Sequence, residues 1–342
     1  MRATPGVTLA GRRAAATTLG DPAPRRYNRG AVKDSSALSL SHPRPLSAVP
    51  TRCTLCSGSR VSLRFRARGE VAVPDGSAWR CTSFGHRSHP PIWACRDCGV
   101  LFQWPAPAAA DLTRAYADVV DPLYMAEGEN RLLTFRRVAR VLGPASGRRL
   151  LDVGAYCGYF LQVARECGFE AEGLELSRWA AGHARLLGFP VHSEPLVQLA
   201  RGPRRYHVVT MWDVLEHLPD PEEEVDAART LLEPGGRLYL STIDTGSLSA
   251  RLLGARWPWL MDMHLVYFDR ANLSALLERR GFRVLGIRTY SHTVSLGYLL
   301  RKLGASFPSL SPLASALARH LPVHLPVPVN LGDNMLVAAE RP

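Results

Sequence analysis

The spacing of apolar and polar positions changes character near residue 148. Ahead of it, residues 106–145 carry helical spacing in two pieces. These are Asp111–Val119 and Glu129–Leu142, the second with Leu132, Leu133, Phe135 and Val138 on a mixed apolar face, ended by Gly143-Pro144. Beyond it, short apolar runs alternate with amphipathic ones. Arg149–Val153, Ala171–Leu176, Pro190–His192, Tyr206–Trp212, Arg237–Thr242, Phe282–Tyr290 and Asn334–Ala339 read as strands. Helices are predicted over Tyr159–Cys167 and Arg178–Leu187, closed by Gly168 and Gly188. Asp220 caps a third that runs to Leu232, with Pro221 first and Glu222–Glu224 suiting the helix dipole. Pro234-Gly235-Gly236 turns the chain into the next strand. Asp269 caps a helix reaching Arg280, closed by Gly281. Such repetition predicts an α/β fold, a Rossmann-like parallel sheet with helices on both faces. The late strands, which no long helix separates, predict an antiparallel edge hairpin.

Four regions follow: a basic tail (1–50), a cysteine-bearing module (51–105), a helical connector (106–147) and the α/β domain (148–342). The tail is rich in Arg, Ala, Pro, Ser and Thr, has no apolar period, and reads as disordered. Its composition also suits a transit peptide, or a start codon assigned too early. Ser295–Val329 is an apolar insertion rich in Leu and Pro. Short helices packed on the domain are its plainest reading. A cap over the site, a dimer contact and a peripheral membrane contact through 295–329 are alternatives. No secretory signal or membrane span is expected, since Pro308 and Pro312 interrupt the uncharged stretch Leu303–Ala318.

The formal charge of +12 invites a nucleic-acid reading. Two facts weaken it. Only Lys33 and Lys302 are lysines among 42 basic residues, a bias expected of GC-rich coding, and half of the net charge lies in residues 1–50. A nucleic-acid partner is therefore disfavoured.

Seven cysteines include the pairs Cys53/Cys56 and Cys95/Cys98, each Cys-x-x-Cys. An odd count with such pairs argues for a metal in a reducing, cytoplasmic setting over a disulfide framework. Four thiolates make a closed tetrahedral zinc site of structural type. Cys81, His86 and His89 lie between the pairs, so an exchanged ligand stays open. Gly58 and Gly99 suit tight knuckle turns.

At the end of the first domain strand, Asp152-Val153-Gly154-Ala155-Tyr156-Cys157-Gly158 places two glycines where the backbone must turn and approach a ligand closely. The spacing is not the Gly-x-Gly-x-x-Gly that seats a pyrophosphate, which disfavours a nicotinamide-linked oxidoreductase. Glu175, 21 residues beyond Gly154, can accept from both hydroxyls of a ribose, and Asp152 offers a negative group to a cationic amine.

Leu151-Asp152-Val153-Gly154-x-x-x-Gly158-x-Phe160 resembles the first motif of class I S-adenosylmethionine (SAM) methyltransferases. Val208–Leu218 resembles their fourth-strand motif, and Leu231–Leu238 the turn before their fifth strand. The resemblance spans roughly 130–290. It implies SAM as cofactor, with Asp152 and Gly154 near its methionine part, Glu175 on its ribose, Asp213 lining it, and Tyr156 and Gly158 in its loop. Tyr156 and Cys157 depart from the small residues usual there. Cys95–Pro105 resembles the zinc-ribbon segment of bacterial methyltransferases of polysaccharide and sugar-nucleotide pathways, in which a tyrosine-bearing segment, here Tyr116 and Tyr124, joins ribbon to catalytic domain. That implies a small-molecule, sugar, glycan or glycolipid acceptor and a structural Zn²⁺.

A general base is needed only if the acceptor must lose a proton. His264, within Trp257–Phe268, is placed as a base or acceptor contact, and equally as a packed loop histidine. His217 reads as a loop-holding residue. Asp213-x-x-Glu216-His217 resembles a metal-binding string of small-RNA 2′-O-methyltransferases, but the string is shared by metal-free enzymes and no magnesium is predicted. Two alternatives remain: an RNA methyltransferase gripping its substrate through Arg60, Arg64, Arg66, Arg68 and Arg80, and a non-enzymatic interaction protein on a degenerate fold.

Overall fold

The computed structural model describes residues 49–69, 79–82, 88–143 and 145–342. The expectation for residues 1–50 therefore lies almost wholly outside the described residues, as does His86.

The chain opens with three short antiparallel strands, β1 (Val61–Phe65), β2 (Ile92–Cys95) and β3 (Leu101–Gln103). Helices α1 (Ala109–Ala117), α2 (Pro122–Ala126) and α3 (Gly128–Ala139) follow. The alternating part begins with β4 (Arg149–Val153), α4 (Tyr159–Glu166), β5 (Glu170–Leu174), α5 (Arg178–Leu186), β6 (Val191–His192), α6 (Leu196–Leu199) and β7 (Tyr206–Trp212). It continues with α7 (Pro221–Leu231), β8 (Leu232–Ile243), α8 (Leu248–Leu253), β9 (Val266–Tyr267), α9 (Arg270–Arg279) and β10 (Arg283–Thr289). The insertion holds β11 (His292–Ser295), α10 (Leu296–Ser306), α11 (Ser311–His320) and β12 (Pro326–Val329), and β13 (Asn334–Glu340) closes the chain.

Seven strands form one sheet in the order β10-β13-β8-β7-β4-β5-β6. All run parallel except β13, which is antiparallel to both neighbours. The Rossmann-like expectation is met, with the antiparallel strand set between β8 and β10. β5 follows β4 on one side and β7 pairs on the other, so the chain reverses direction across the sheet at the carboxyl end of β4. Ligands bind at such a switch point.

Local chemistry explains the boundaries. Asp220 and Asp269 accept the amides of Glu223 and Asn272, and Asn272 completes a capping box at α9. β8 begins five residues earlier than the spacing suggested. The Pro234-Gly235-Gly236 turn lies inside it as an irregularity in its pairing with β7, made feasible by Gly235 at φ +75°.

A second sheet, β1-β2-β3-β9, forms the cysteine module, and its last strand comes from residues 266–267 of the α/β domain. Val100, just before β3, and Phe102, within it, share one apolar core with Leu151, Met211 and Leu240. Burial of such side chains contributes about 1.5–3 kcal/mol each.

Candidate active site

The loop after β4 turns through three residues in the left-handed region: Gly154 (φ +72°), Tyr156 (φ +46°) and Gly158 (φ +82°). A Cβ on Gly154 would lie 2.7 Å from Val214 Cγ2, and one on Gly158 3.0 Å from Ala184 Cβ, so space as well as φ demands glycine. Tyr156 has no such excuse and is held by its partners. Its amide donates to Glu175 Oε2 at 2.8 Å. Its ring meets Tyr124 edge-on at 4.4 Å and faces Trp179 at 6.4 Å. Tyr124, of the connector, also stacks on Tyr159 at 5.8 Å.

Glu175 follows β5 and is buried against this loop. Its second oxygen accepts the Ser177 amide at 2.7 Å. Burial outweighs those two bonds and pushes its carboxyl up to about 7. Asp152, inside β4, accepts the Thr210 hydroxyl at 2.6 Å. Burial again dominates and pushes it up to about 8, with Glu175 adding to the effect. Two carboxyls poised near neutrality beside a glycine turn form a donor set suited to a cationic, ribose-bearing ligand.

Asp213 closes β7 at φ +52°, an uncommon conformation for a residue with a side chain. Its amide donates to the Ser241 hydroxyl oxygen at 2.9 Å, and that hydroxyl donates to Asp213 Oδ1 at 2.7 Å. The phenol of Tyr290 lies 2.9 and 3.0 Å from the two carboxylate oxygens and 2.9 Å from His292 Nε2. Burial and the Asp213 charge hold Tyr290 well above the usual phenol range, and burial lowers His292, against the pull of Asp213. Nothing in the sequence pattern singled out Tyr290 or His292. They lie just past β10, which the sheet order carries to the same carboxyl edge.

Glu216, His217 and His264 converge nearby. One ligand atom from each lies within 4.8 Å of the others. Glu216 is buried, its Oε2 lacks a hydrogen-bond partner, and burial with the Asp213 charge pushes it well above the usual carboxylate range. His217 Nδ1 faces the Met263 carbonyl at 2.9 Å, tying the loop after β7 to residues 257–268. His264 Nδ1 faces the Trp259 carbonyl at 3.0 Å, its ring 4.8 Å from that of His217.

In the cysteine module, Cys53, Cys56, Cys95 and Cys98 present their sulfurs to one centre, all within 4.8 Å of one another. Cys53 and Cys98 sulfurs are 3.8 Å apart, and those of Cys56 and Cys95 3.6 Å. Four thiolates at about 2.3 Å from zinc would stand about 3.8 Å apart, so the geometry fits a tetrahedral ion. The amides of Leu55, Gly58 and Asp97 point at three of the sulfurs (3.3–3.4 Å) and would steady their charge. The knuckles are alike in that the fourth residue after Cys53 and after Cys95 is left-handed: Ser57 at φ +56° and Gly99 at φ +79°. Gly58 serves differently from expectation. A Cβ there would lie 2.3 Å from Asp97 Oδ2, so it admits the second knuckle against the first. His89 lies apart from the four sulfurs, its Nδ1 facing the Pro90 carbonyl at 2.8 Å.

A methyltransferase-domain family matches residues 125–286. The ubiquinone biosynthesis O-methyltransferase of Bordetella bronchiseptica is 33% identical over 165 residues, 44% of this chain and 68% of that protein. The chain belongs to the SAM-dependent methyltransferase family. It spans under half the length of some other curated relatives. The ubiquinone biosynthesis O-methyltransferase of Paraburkholderia phymatum is 34% identical over 106 residues, 29% of this chain and 46%, under half, of that protein. A SAM-dependent methyltransferase from Archaeoglobus fulgidus superposes with a TM-score of 0.43 at 18% identity, over 61% of this chain and 94% of that one. The methyltransferase match runs from α2 into β10, and the four cysteines with β1, β2 and β3 lie outside it.

Proposed function

We propose that this chain transfers a methyl group from SAM to a hydroxyl of a small-molecule, sugar or glycan acceptor. The observation that carries the reading is the buried Glu175 carboxylate locked to the Tyr156 amide of the glycine loop, at the switch point of the sheet. SAM supplies an already activated methyl on a sulfonium. The chain's own residues then bind and orient. Glu175 takes the ribose hydroxyls, Gly154, Tyr156 and Gly158 shape the loop, and Asp152 favours the cationic end. Asp213, braced by Ser241 and Tyr290, lines the approach to the acceptor. Positioning of this kind lowers the barrier mainly by removing the entropic cost of alignment. The relatives' names, as O-methyltransferases, support an oxygen acceptor. His264, beside Glu216, is placed to contact that acceptor or take its proton. The four cysteines hold one structural Zn²⁺, and the ribbon's resemblance favours a sugar or glycan acceptor.

Calorimetry with S-adenosylhomocysteine tests the reading. Micromolar-range affinity is expected, weakened about tenfold or more in Glu175→Ala, the scale of about one lost hydrogen bond to a charged group. An unchanged affinity would sink the ribose assignment. A methyl-transfer screen over hydroxylated small molecules, nucleotide sugars and lipid-linked glycans, repeated with His264→Ala, identifies the acceptor class.

A further inference from the structure

The insertion between β10 and β13 is built inside out. Helices α10 and α11, joined by the tight turn Pro308–Leu310, pack against each other. The buried positions between and beneath them are mostly small: Gly297, Leu300, Gly304 and Ala314. A Cβ on Gly304 would sit 3.4 Å from Ser311 Cα, so the space between the helices is closed to larger side chains. The large apolar residues point outward instead. Leu303, Phe307, Leu310, Leu313, Leu317 and Leu321 recur every three or four positions and are all exposed, Phe307 by 50% and Leu313 by 58%. Full burial of such a side chain contributes about 1.5–3 kcal/mol, and each of these leaves a sizeable part of that unused.

Charge points to the cover. Between Glu278 and Asp333 the chain has no acidic residue, while the hairpin exposes Arg301 and Arg319, with His320 and His324 nearby and Lys302 half-buried. A second copy of this face would set cation against cation. An anionic lipid surface satisfies both features, since it takes apolar side chains below its headgroups and attracts cations beside them. No described helix is long and apolar enough to cross a membrane, which leaves a helix pair lying in the interface.

The hairpin stands on a stalk that reaches the site. Ser295 donates its amide and hydroxyl to Glu127 at 2.8 and 2.6 Å, and the Thr293 amide donates to Thr134 at 2.7 Å. The stalk strand β11 begins at His292, the partner of Tyr290 at Asp213. We propose that α10–α11 seats the protein on an anionic membrane surface and presents the carboxyl edge of the seven-stranded sheet to a lipid-anchored acceptor. The lipid character of the acceptor rests on the methyl-transfer reading above; the seating does not.

Vesicle flotation of the full chain tests the seating. The protein is expected to float with phosphatidylcholine vesicles containing phosphatidylglycerol, and far less with phosphatidylcholine alone or in high salt. The double variant Leu313→Asp/Leu317→Asp should bind at least about tenfold more weakly. Arg319→Glu, a surface charge reversal that leaves packing untouched, should weaken binding about fivefold or more and guards against misfolding of the first variant. S-adenosylhomocysteine affinity, measured on the same samples, should not change, which separates this proposal from the cofactor reading. Wild-type protein that ignores anionic vesicles, or variants that float as well as wild type, would overturn it. So would light scattering that finds a dimer which the double variant dissolves without any lipid binding.

Discussion

At the scale of single residues, two of the site's carboxyls, Asp152 and Glu175, are kept from ionising by burial. Asp152 at about 8 and Glu175 at about 7 hold their protons far above their ordinary values, and Glu224, outside the site, is also pushed to about 7 by burial and by the nearby charges of Glu223 and Asp220. The sign is definite: these three groups bind protons in the folded chain that the unfolded chain releases near pH 4, so the stability they contribute is full below about pH 4 and is lost as pH rises to about 7 to 8. The melting temperature of the cofactor-free protein is therefore expected to fall between about pH 5 and pH 9. A cationic ligand prefers the ionised carboxylates, so its binding should release protons at neutral pH. Calorimetry of S-adenosylmethionine binding in buffers of different ionisation enthalpy reads that release directly. Binding heats that do not depend on the buffer would contradict the assignment of Asp152. A second residue-level test concerns Gly58. Gly58→Ala forces a Cβ against Asp97, and should lower zinc affinity and the melting temperature, with a cost of about 1–3 kcal/mol typical of overpacking.

At the scale of elements, what the sequence pattern showed and what it hid differ for physical reasons. β4 and β7 are buried runs bounded by clear turns, and their predicted ends coincide with those observed. Helices α4, α5, α7 and α9 agree within a residue or two because caps and closing glycines mark them. The start of β8 was hidden because a Pro-Gly-Gly turn usually ends a strand, whereas here the strand absorbs it. β9 was invisible: two residues have no periodicity, and only pairing with β3 makes them a strand. The site divides the same way. Glu175 and Asp213 sit at strand ends that periodicity reveals. Tyr290 and His292 act through the sheet order, which no local pattern encodes. The two cysteine pairs were legible because their spacing is their chemistry, and the module should carry one zinc per chain by elemental analysis. Cys98→Ser should lose that zinc and unfold earlier on heating; retained stoichiometry would refute the four-sulfur site.

At the scale of the molecule, cysteine module and α/β domain share a core and a sheet. A single cooperative transition is expected in calorimetry, and stripping zinc should shift the whole transition instead of splitting off a small early one. Two resolved transitions would show that the module is independent. The shared sheet also has a consequence in time. The last of the four cysteines is Cys98, so all four are synthesised early and the metal can be taken up well before the α/β domain is complete. The edge of that sheet stays open until Tyr267, some 170 residues later, can pair with Leu101. Contacts of such wide separation close slowly. During synthesis, then, the exposed edge of β3 is the segment a chaperone or a neighbouring nascent chain would meet first, and the last strand of the module to arrive is also the one that ends its vulnerability to mispairing.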